Sequence, residues 1–192
     1  MPTQAERTEA TRSRLIATAR RLFAQKGFAS TSTEEILSEA SVSRGALYHH
    51  FSSKTDLFQA TWETVESELT ARVMNAAATA SNPKEMLKFG FDQFLDECRH
   101  VEVQRIVMLD GPNVLGWDVW HDLDEQYGLG GIKAVLGFAV ELGIIPAEMV
   151  EPLAHLLLGA VMQAGMVVAR AEDPDATKRG MTQTLARIID AL

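Results

Sequence analysis

TSTEEILSEASVSRGALYHHFSSKTDL, residues 31 to 57, holds two short helical patterns separated by too few residues for anything except a tight turn. The first opens with hydroxyl residues followed by acids, so either Thr31 with Glu34 or Ser32 with Glu35 can form a capping box. Ile36, Leu37 and Ala40 supply its short apolar face. Val42 is the single apolar plug of the turn, and Ser43 stands where a helix cap is needed. The second pattern starts at about Arg44. Gly45 and Ala46 leave its first turn bare, Leu47 and Phe51 anchor an inner face four residues apart, and Tyr48, His49 and His50 are left near or on the outside. A helix-turn-helix meets these constraints, because its second helix enters a DNA major groove with its N-terminus leading.

Charge supports that reading. Residues 1–54 hold 8 Lys and Arg against 5 Asp and Glu, a net of +3, whereas residues 55–192 hold 10 against 21, a net of −11. A basic head on an acidic body suits a protein that touches a duplex with one end only, so the overall charge of −8 does not argue against DNA. Cys98 is the only cysteine, which excludes an intrachain disulfide and makes a reducing cytosol the simplest compartment. The N-terminus carries Arg7, Arg12 and Arg14 among polar residues and has no apolar signal segment, so a cytoplasmic protein is expected.

Around this stretch the chain reads as helices throughout. Met1 to about Ala10 has too few apolar residues to pack and is expected to form an arm. Leu15, Ile16, Ala19, Leu22 and Phe23 then mark one face of a helix from Arg12 to Lys26, ended by Gly27. With the two patterns above, this completes a three-helix head. Ser53-Lys54-Thr55-Asp56 starts a fourth helix reaching about Ala78, roughly 35 Å long and able to carry a push from body to head. The domains are expected to be 1–54 and 55–192. In the second, Ser81-Asn82-Pro83 starts a helix, Val103 to Leu109 gives a shorter one, and Asp110-Gly111-Pro112-Asn113 breaks the pattern. A helix loosened at Gly128–Gly131 runs from about Trp117 to Leu142, and two apolar helices follow, about 147–171 and 176–191. A membrane span over Leu153–Ala169 is disfavoured, since His155 and Gln163 interrupt it.

At Ile36, Ala40, Val42, Ser43, Gly45, Leu47, Tyr48, His50, Phe51, Ser53, Lys54 and Leu57 the chain resembles the TetR-like family of bacterial transcriptional regulators. Two positions depart: Leu37 replaces a usual small residue, and Ser41 stands where glycine is common, which should cost some backbone strain. The resemblance is close over the first third of the chain and architectural beyond it. It implies an all-α fold with a helix-turn-helix head and a helical body that binds an effector and dimerises. By resemblance, Thr33, Ser43, Tyr48, His50 and Lys54 hold phosphates, and Arg44 reads a base, with Gly45 and His49 beside it. The implied partner is a pseudo-palindromic operator in double-stranded DNA. The last two helices would form the homodimer, with Met149, Val150, Leu153, Leu156, Leu157, Val161, Ala164 and Val168 as a broad apolar surface and Met181, Leu185, Ile188, Ile189 and Leu192 as a seam; burial in the chain's own core is the alternative.

A small-molecule effector is the further expectation. Phe91, Phe94, Met108, Trp117, Trp120, Phe138, Met162 and Met166 offer apolar walls, and Asp110, Asn113, His121, His155 and Gln163 offer polar handles, a mixture that ligand sites use and that an ordinary core also shows. Nothing points to catalysis, a cofactor or a metal. In His121-Asp122-Leu123-Asp124-Glu125 only His121 and Glu125 share a helical face, and two ligands do not make a zinc site. Neither a nucleophile motif nor a phosphate loop is present. Three classes remain: a ligand-released repressor, a DNA-binding regulator that senses nothing or activates, and an all-helical enzyme, which leaves residues 31–57 without a purpose.

Overall fold

The computed structural model describes residues 3–192, and every regular element among them is helical. The chain forms two compact units. One holds the chain through Glu66 together with Val101–Trp120; the other holds Ser67–His100 and His121–Leu192. The boundary expected at residue 54 does not coincide with this division, which falls inside a helix and assigns a later segment to the head.

In the first unit, α1 (Gln4–Lys26) begins at a capping box: the Thr3 hydroxyl accepts from the Glu6 amide at 3.2 Å, and the Thr3 amide donates to the Glu6 carboxylate at 2.6 Å. The arm expected for the first ten residues is therefore helix from Gln4 onward. Its cap and helix-forming residues sustain it without an apolar stripe; Met1 and Pro2 lie outside the described residues. α2 (Thr33–Ala40) takes the second of the two possible caps, with the Ser32 hydroxyl accepting from the Glu35 amide at 3.1 Å. Thr31 is instead buried, its hydroxyl donating to the Gly27 carbonyl at 2.8 Å. Ser41 ends α2 at φ 52°, ψ 47°, the left-handed conformation in which a side chain is strained. Ser43 caps α3 (Arg44–His50), and α4 (Lys54–Ala77) follows.

Leu15, Leu22, Phe23, Ile36, Leu47, Phe51 and Leu57 are buried beneath α2 and α3, and the rings of Phe23, Phe28 and Phe58 meet at centroid distances of 5.2 to 5.7 Å. Val103, Ile106 and Val107 add to this core from a π-wound helix, Val103–Asp110. That helix does not stop at Asp110-Gly111-Pro112-Asn113 as expected. It passes directly into α6 (Gly111–Leu115), because Pro112 occupies the first turn of the new winding, where its missing N–H costs nothing. The break comes at Gly116, φ 79°. Gly111 has its own reason: a Cβ there would sit 2.7 Å from Trp62 Nε1.

In the second unit, Asn82 caps α5 (Pro83–Glu97), and α7 (Trp117–Asp124) enters from the first unit, π-wound at Glu125–Leu129 where the glycines loosen it, before α8 (Gly130–Glu141). Gly143, φ 69°, turns the chain toward α9 (Val150–Ala169), and α10 (Pro174–Asp190) completes it. Leu87, Phe91, Leu95, Leu129, Val135, Leu136, Leu157, Val161, Leu185 and Ile189 form one core among α5, α8, α9 and α10. Charged pairs lace α10 to α5: the Lys178 ammonium reaches Asp96 at 2.7 Å and Asp92 at 3.1 Å, Arg99 reaches Asp175 at 2.9 Å, and Lys88 pairs with Asp190.

The expected seam on the last helix is corrected by this packing. Leu185 and Ile189 are buried in the chain's own core, and Met181 and Leu192 pack against it; of the five residues only Ile188 turns outward. On α9, Leu153, Leu157, Val161, Ala164 and Val168 likewise face inward, while Leu156 is 71% exposed on the opposite face. The span 147–169 is long and apolar enough to cross a membrane by length and composition alone, and core helices share both properties.

Candidate nucleic-acid interface

Leu47 and Phe51 seal the inner side of α3 to the core, so its helical register decides what remains outside. Arg44, Gly45, Tyr48 and His49 lie exposed on one outward face, with Ser43 exposed ahead of them and His50 half-buried behind. A Cβ at Gly45 would meet nothing within 4 Å, so the first turn is open to approach. Thr33 is half-buried in the first turn of α2. The His49 and His50 rings lie edge to face at 5.3 Å, and the Arg12 guanidinium stands 5.4 Å over the Phe51 ring, bringing α1 against the end of α3.

Lys54 has a role that sequence reasoning missed. Its ammonium donates to the carbonyls of Phe28 and Thr31, both at 2.8 Å, and lies 4.0 Å over the Phe28 ring. Burial pulls its pKa below the ordinary lysine value. The charge expected to hold a phosphate thus ties down the α1–α2 turn. Asp110 reaches the same turn: its carboxylate accepts from the Phe28 amide at 2.8 Å. Farther back on α1, Arg20 grips Glu102 through two contacts of 2.8 Å. The three carboxylates of α2 are paired too, Glu35 with Lys26, Glu39 with Arg21, and Glu34 with Arg44. None of these partners is signalled by local spacing, since each lies at least nine residues away.

The residues expected to surround a ligand are divided between the two units. Met108, Asp110, Asn113, Trp117 and Trp120 belong to the first. There Asn113 donates to the Leu109 carbonyl at 2.6 Å, Trp117 is 67% exposed, and its ring lies 5.4 Å from that of Trp120. Phe91, Phe94, His121, Phe138, His155, Met162, Gln163 and Met166 belong to the second. Phe91 is in the core and Phe94 packs against it, Phe138, Met162 and Met166 are half-buried, and His155 and Gln163 are exposed on α9, His155 lying 3.3 Å from Glu151.

Comparison with known proteins addresses the two parts of the chain separately. Residues 15–61 match the family model described as bacterial regulatory proteins, tetR family, and residues 84–192 match that of the tetracyclin repressor-like C-terminal domain. A crystal structure of a TetR-family transcriptional regulator from Pectobacterium atrosepticum is 30% identical and superposes with a TM-score of 0.83, covering 100% of this chain and 97% of that one. The HTH-type transcriptional regulator AcrR of Shigella flexneri is 45% identical over 64 residues, 33% of this chain and 30% of that protein. The regulator FadR of Bacillus subtilis, crystallised in complex with stearoyl-CoA, is 15% identical and shares the fold with a TM-score of 0.73 over 91% of this chain and 97% of its own.

Proposed function

The chain belongs to the tetR family of bacterial regulatory proteins, and we propose that it is a cytoplasmic homodimeric repressor that leaves a pseudo-palindromic operator when a small, largely apolar molecule binds its body. The outward face of α3 carries the reading: Arg44, Gly45, Tyr48 and His49 are presented together on a helix whose other side is sealed by Leu47 and Phe51. Arg44 reads guanine through paired donors, and Thr33, Ser43, Tyr48 and His50 hold phosphates on either side. Lys54 supports them chiefly by fixing the turn ahead of α2, with a phosphate as a second contact for its charge.

Two heads contact equivalent half-sites only if the operator shares the dimer's two-fold symmetry. Support for the dimer comes from the outward faces of α9 and α10, where Leu156 and Ile188 are exposed although large and apolar. Support for ligand release comes from the placement of Val101–Trp120. This segment forms one compact unit with the head and touches its α1–α2 turn through Asp110, so a ligand that favours another setting of it shifts the population away from the DNA-binding form. A coupling of about 1 to 3 kcal/mol gives a 5- to 150-fold switch. The stearoyl-CoA held by the Bacillus subtilis neighbour supports an acyl or otherwise apolar effector class.

Footprinting on a duplex selected from a random pool, joined to light scattering, tests this function. A two-fold footprint from a dimeric protein is expected. A monomer at micromolar concentration that protects a single half-site overturns the dimeric reading. A thermal-shift screen of apolar acids and their thioesters, followed by release of the selected duplex, tests the effector. Trp120→Ala should impair that release while leaving ligand-free DNA affinity unchanged; the opposite pattern places Trp120 in the structural core.

A further inference from the structure

Of the eight Lys and Arg in residues 1–54, six find partners inside the protein. Arg20 is held by Glu102, Arg21 by Glu39, Lys26 by Glu35 and Arg44 by Glu34, while Lys54 donates to two carbonyls and Arg12 stands over the Phe51 ring. The side chains of Arg7 and Arg14 are exposed and make no hydrogen bond, ion pair or ring contact among the described residues. Both lie on the part of α1 that precedes its first buried residue, Leu15, so residues 4–14 form about 16 Å of helix that adds nothing to the core. Two ion pairs fix where this end goes. Lys26 meets Glu35 and Arg21 meets Glu39, so α1 and α2 run antiparallel, and α1 continues past the end of α2 to bring Arg12 onto Phe51 at the end of α3. Arg7, Arg14 and Arg21 recur at the helical repeat and share one side of α1, the side that Arg21 turns to α2. The nearby carboxylates point elsewhere: Glu6 is taken by its own cap at Thr3, and Glu9 accepts from the Ser13 hydroxyl.

We propose that the exposed N-terminal half of α1 is a second DNA contact, in which Arg7 and Arg14 hold phosphates of the strand bordering the groove that α3 enters. α3 enters with its N-terminus leading, so its C-terminal end, where Arg12 meets Phe51, lies toward the groove edge, along which the sugar-phosphate backbone runs. Unpaired guanidiniums beside that edge meet phosphate oxygens with both donors free. A helix lying across the backbone does not also enter the groove. The two arginines therefore add affinity and fix the angle at which α3 docks, and they carry no sequence information of their own. This inference rests on α3 being the element that reads DNA.

The test compares the full-length wild type with the double variant Arg7→Gln/Arg14→Gln on two duplexes, one selected from a random pool and one of the same composition in scrambled order. Glutamine keeps the helix propensity of arginine, and neither side chain has an internal partner, so the melting temperature should not move. Fluorescence anisotropy between about 50 and 200 mM salt should show affinity falling on both duplexes, with a salt slope shallower by about 1.8, or about 0.9 for each lost phosphate. The advantage of the wild type should thus shrink about tenfold across that range. Arg7→Lys/Arg14→Lys should recover most of the slope, because a phosphate also accepts a point charge. Ethylation interference on the selected duplex should lose, in the glutamine variant, phosphates at two-fold related positions, while the selected bases stay the same. Weaker binding with the wild-type interference pattern shows long-range attraction alone and overturns the proposal. A changed base selection makes the arginines base readers and overturns it too. A wild type that selects no duplex ends the DNA-binding reading itself. A wild type that selects a site which the glutamine variant binds equally well, with the same slope, ends only the role of α1.

Discussion

The two units spend their polar side chains differently. In the head, beside side-chain pairs such as Arg20 with Glu102 and Lys26 with Glu35, polar groups also fasten backbone at the turns: Ser32 and Ser43 accept from amides at the starts of α2 and α3, Asp110 accepts from the Phe28 amide, and Lys54 donates to two carbonyls. In the body Asn82 and Asp173 cap their own helices, and the contacts across helices run chiefly between side chains, as from Lys178 to Asp92 and Asp96 and from Lys133 to Glu151. Bonds to backbone fix the path of the chain, which a reading helix needs if its side chains are to meet base edges. Pairs between side chains tolerate a sliding helix and add little energy where water reaches them. The head is built as a fixed tool, and the body as a packed bundle whose last two helices leave Leu156 and Ile188 exposed.

That contrast can be broken by substitutions, beginning with the outward face of the body. Leu156→Glu should leave the folded protomer intact, because the side chain is already 71% exposed, yet cost about 3 to 5 kcal/mol of association by burying an unpaired charge in a dimer. Sedimentation equilibrium measures the loss. Leu185→Ala should do the reverse, costing about 2 to 5 kcal/mol of folding, since Leu185 belongs to the chain's own core. Next comes Lys54→Met. The variant should destabilise the protein by about 1.5 to 3 kcal/mol, the worth of a charged hydrogen bond to buried backbone, and lower its melting temperature without DNA present. An unchanged melting temperature with weakened DNA binding makes Lys54 a phosphate ligand alone. Asp110→Ala should cost about 1 to 3 kcal/mol through the orphaned Phe28 amide.

The smallest effect belongs to the side-chain pairs. Lys178→Met should cost about 1 kcal/mol or less. Burial opposes its charge, but the carboxylates of Asp96 and Asp92 outweigh that and raise its pKa above the ordinary 10.5. A raised value in the folded state means the stabilisation is complete below 10.5 and is lost only as pH climbs beyond it. The melting-temperature gap between wild type and Lys178→Met should stay constant from about pH 7 to 9 and close above 10.5.

How much of this was legible in the sequence follows the same division. The helix-turn-helix is written in local signals: hydroxyl caps at Ser32 and Ser43, the Leu47 and Phe51 pair, and bare Gly45. The start of α1 is equally local, in the capping box at Thr3 and Glu6, but apolar periodicity is blind to it because the segment has no apolar stripe. What stayed hidden is non-local. Asp110 finds Phe28 across 82 residues, and Lys54 finds Phe28 across 26, distances at which spacing carries no information. The π winding at Val103–Asp110 alters register without altering composition, so the passage into Gly111 looked like a stop. On α10, an apolar stripe says that a face is buried and not by what; Leu185 and Ile189 turn into their own core and leave Ile188 outside.

The outward face of α3 as the sequence-reading surface is the claim on which the rest depends, and parallel selection of wild type and Arg44→Ala from one random duplex pool tests it most directly. The wild type should yield a pseudo-palindrome with a guanine at symmetric positions. Arg44→Ala should lose about 1 to 3 kcal/mol of affinity and select any base at those positions while keeping the remainder of the site. An identical selected site from both proteins contradicts the account.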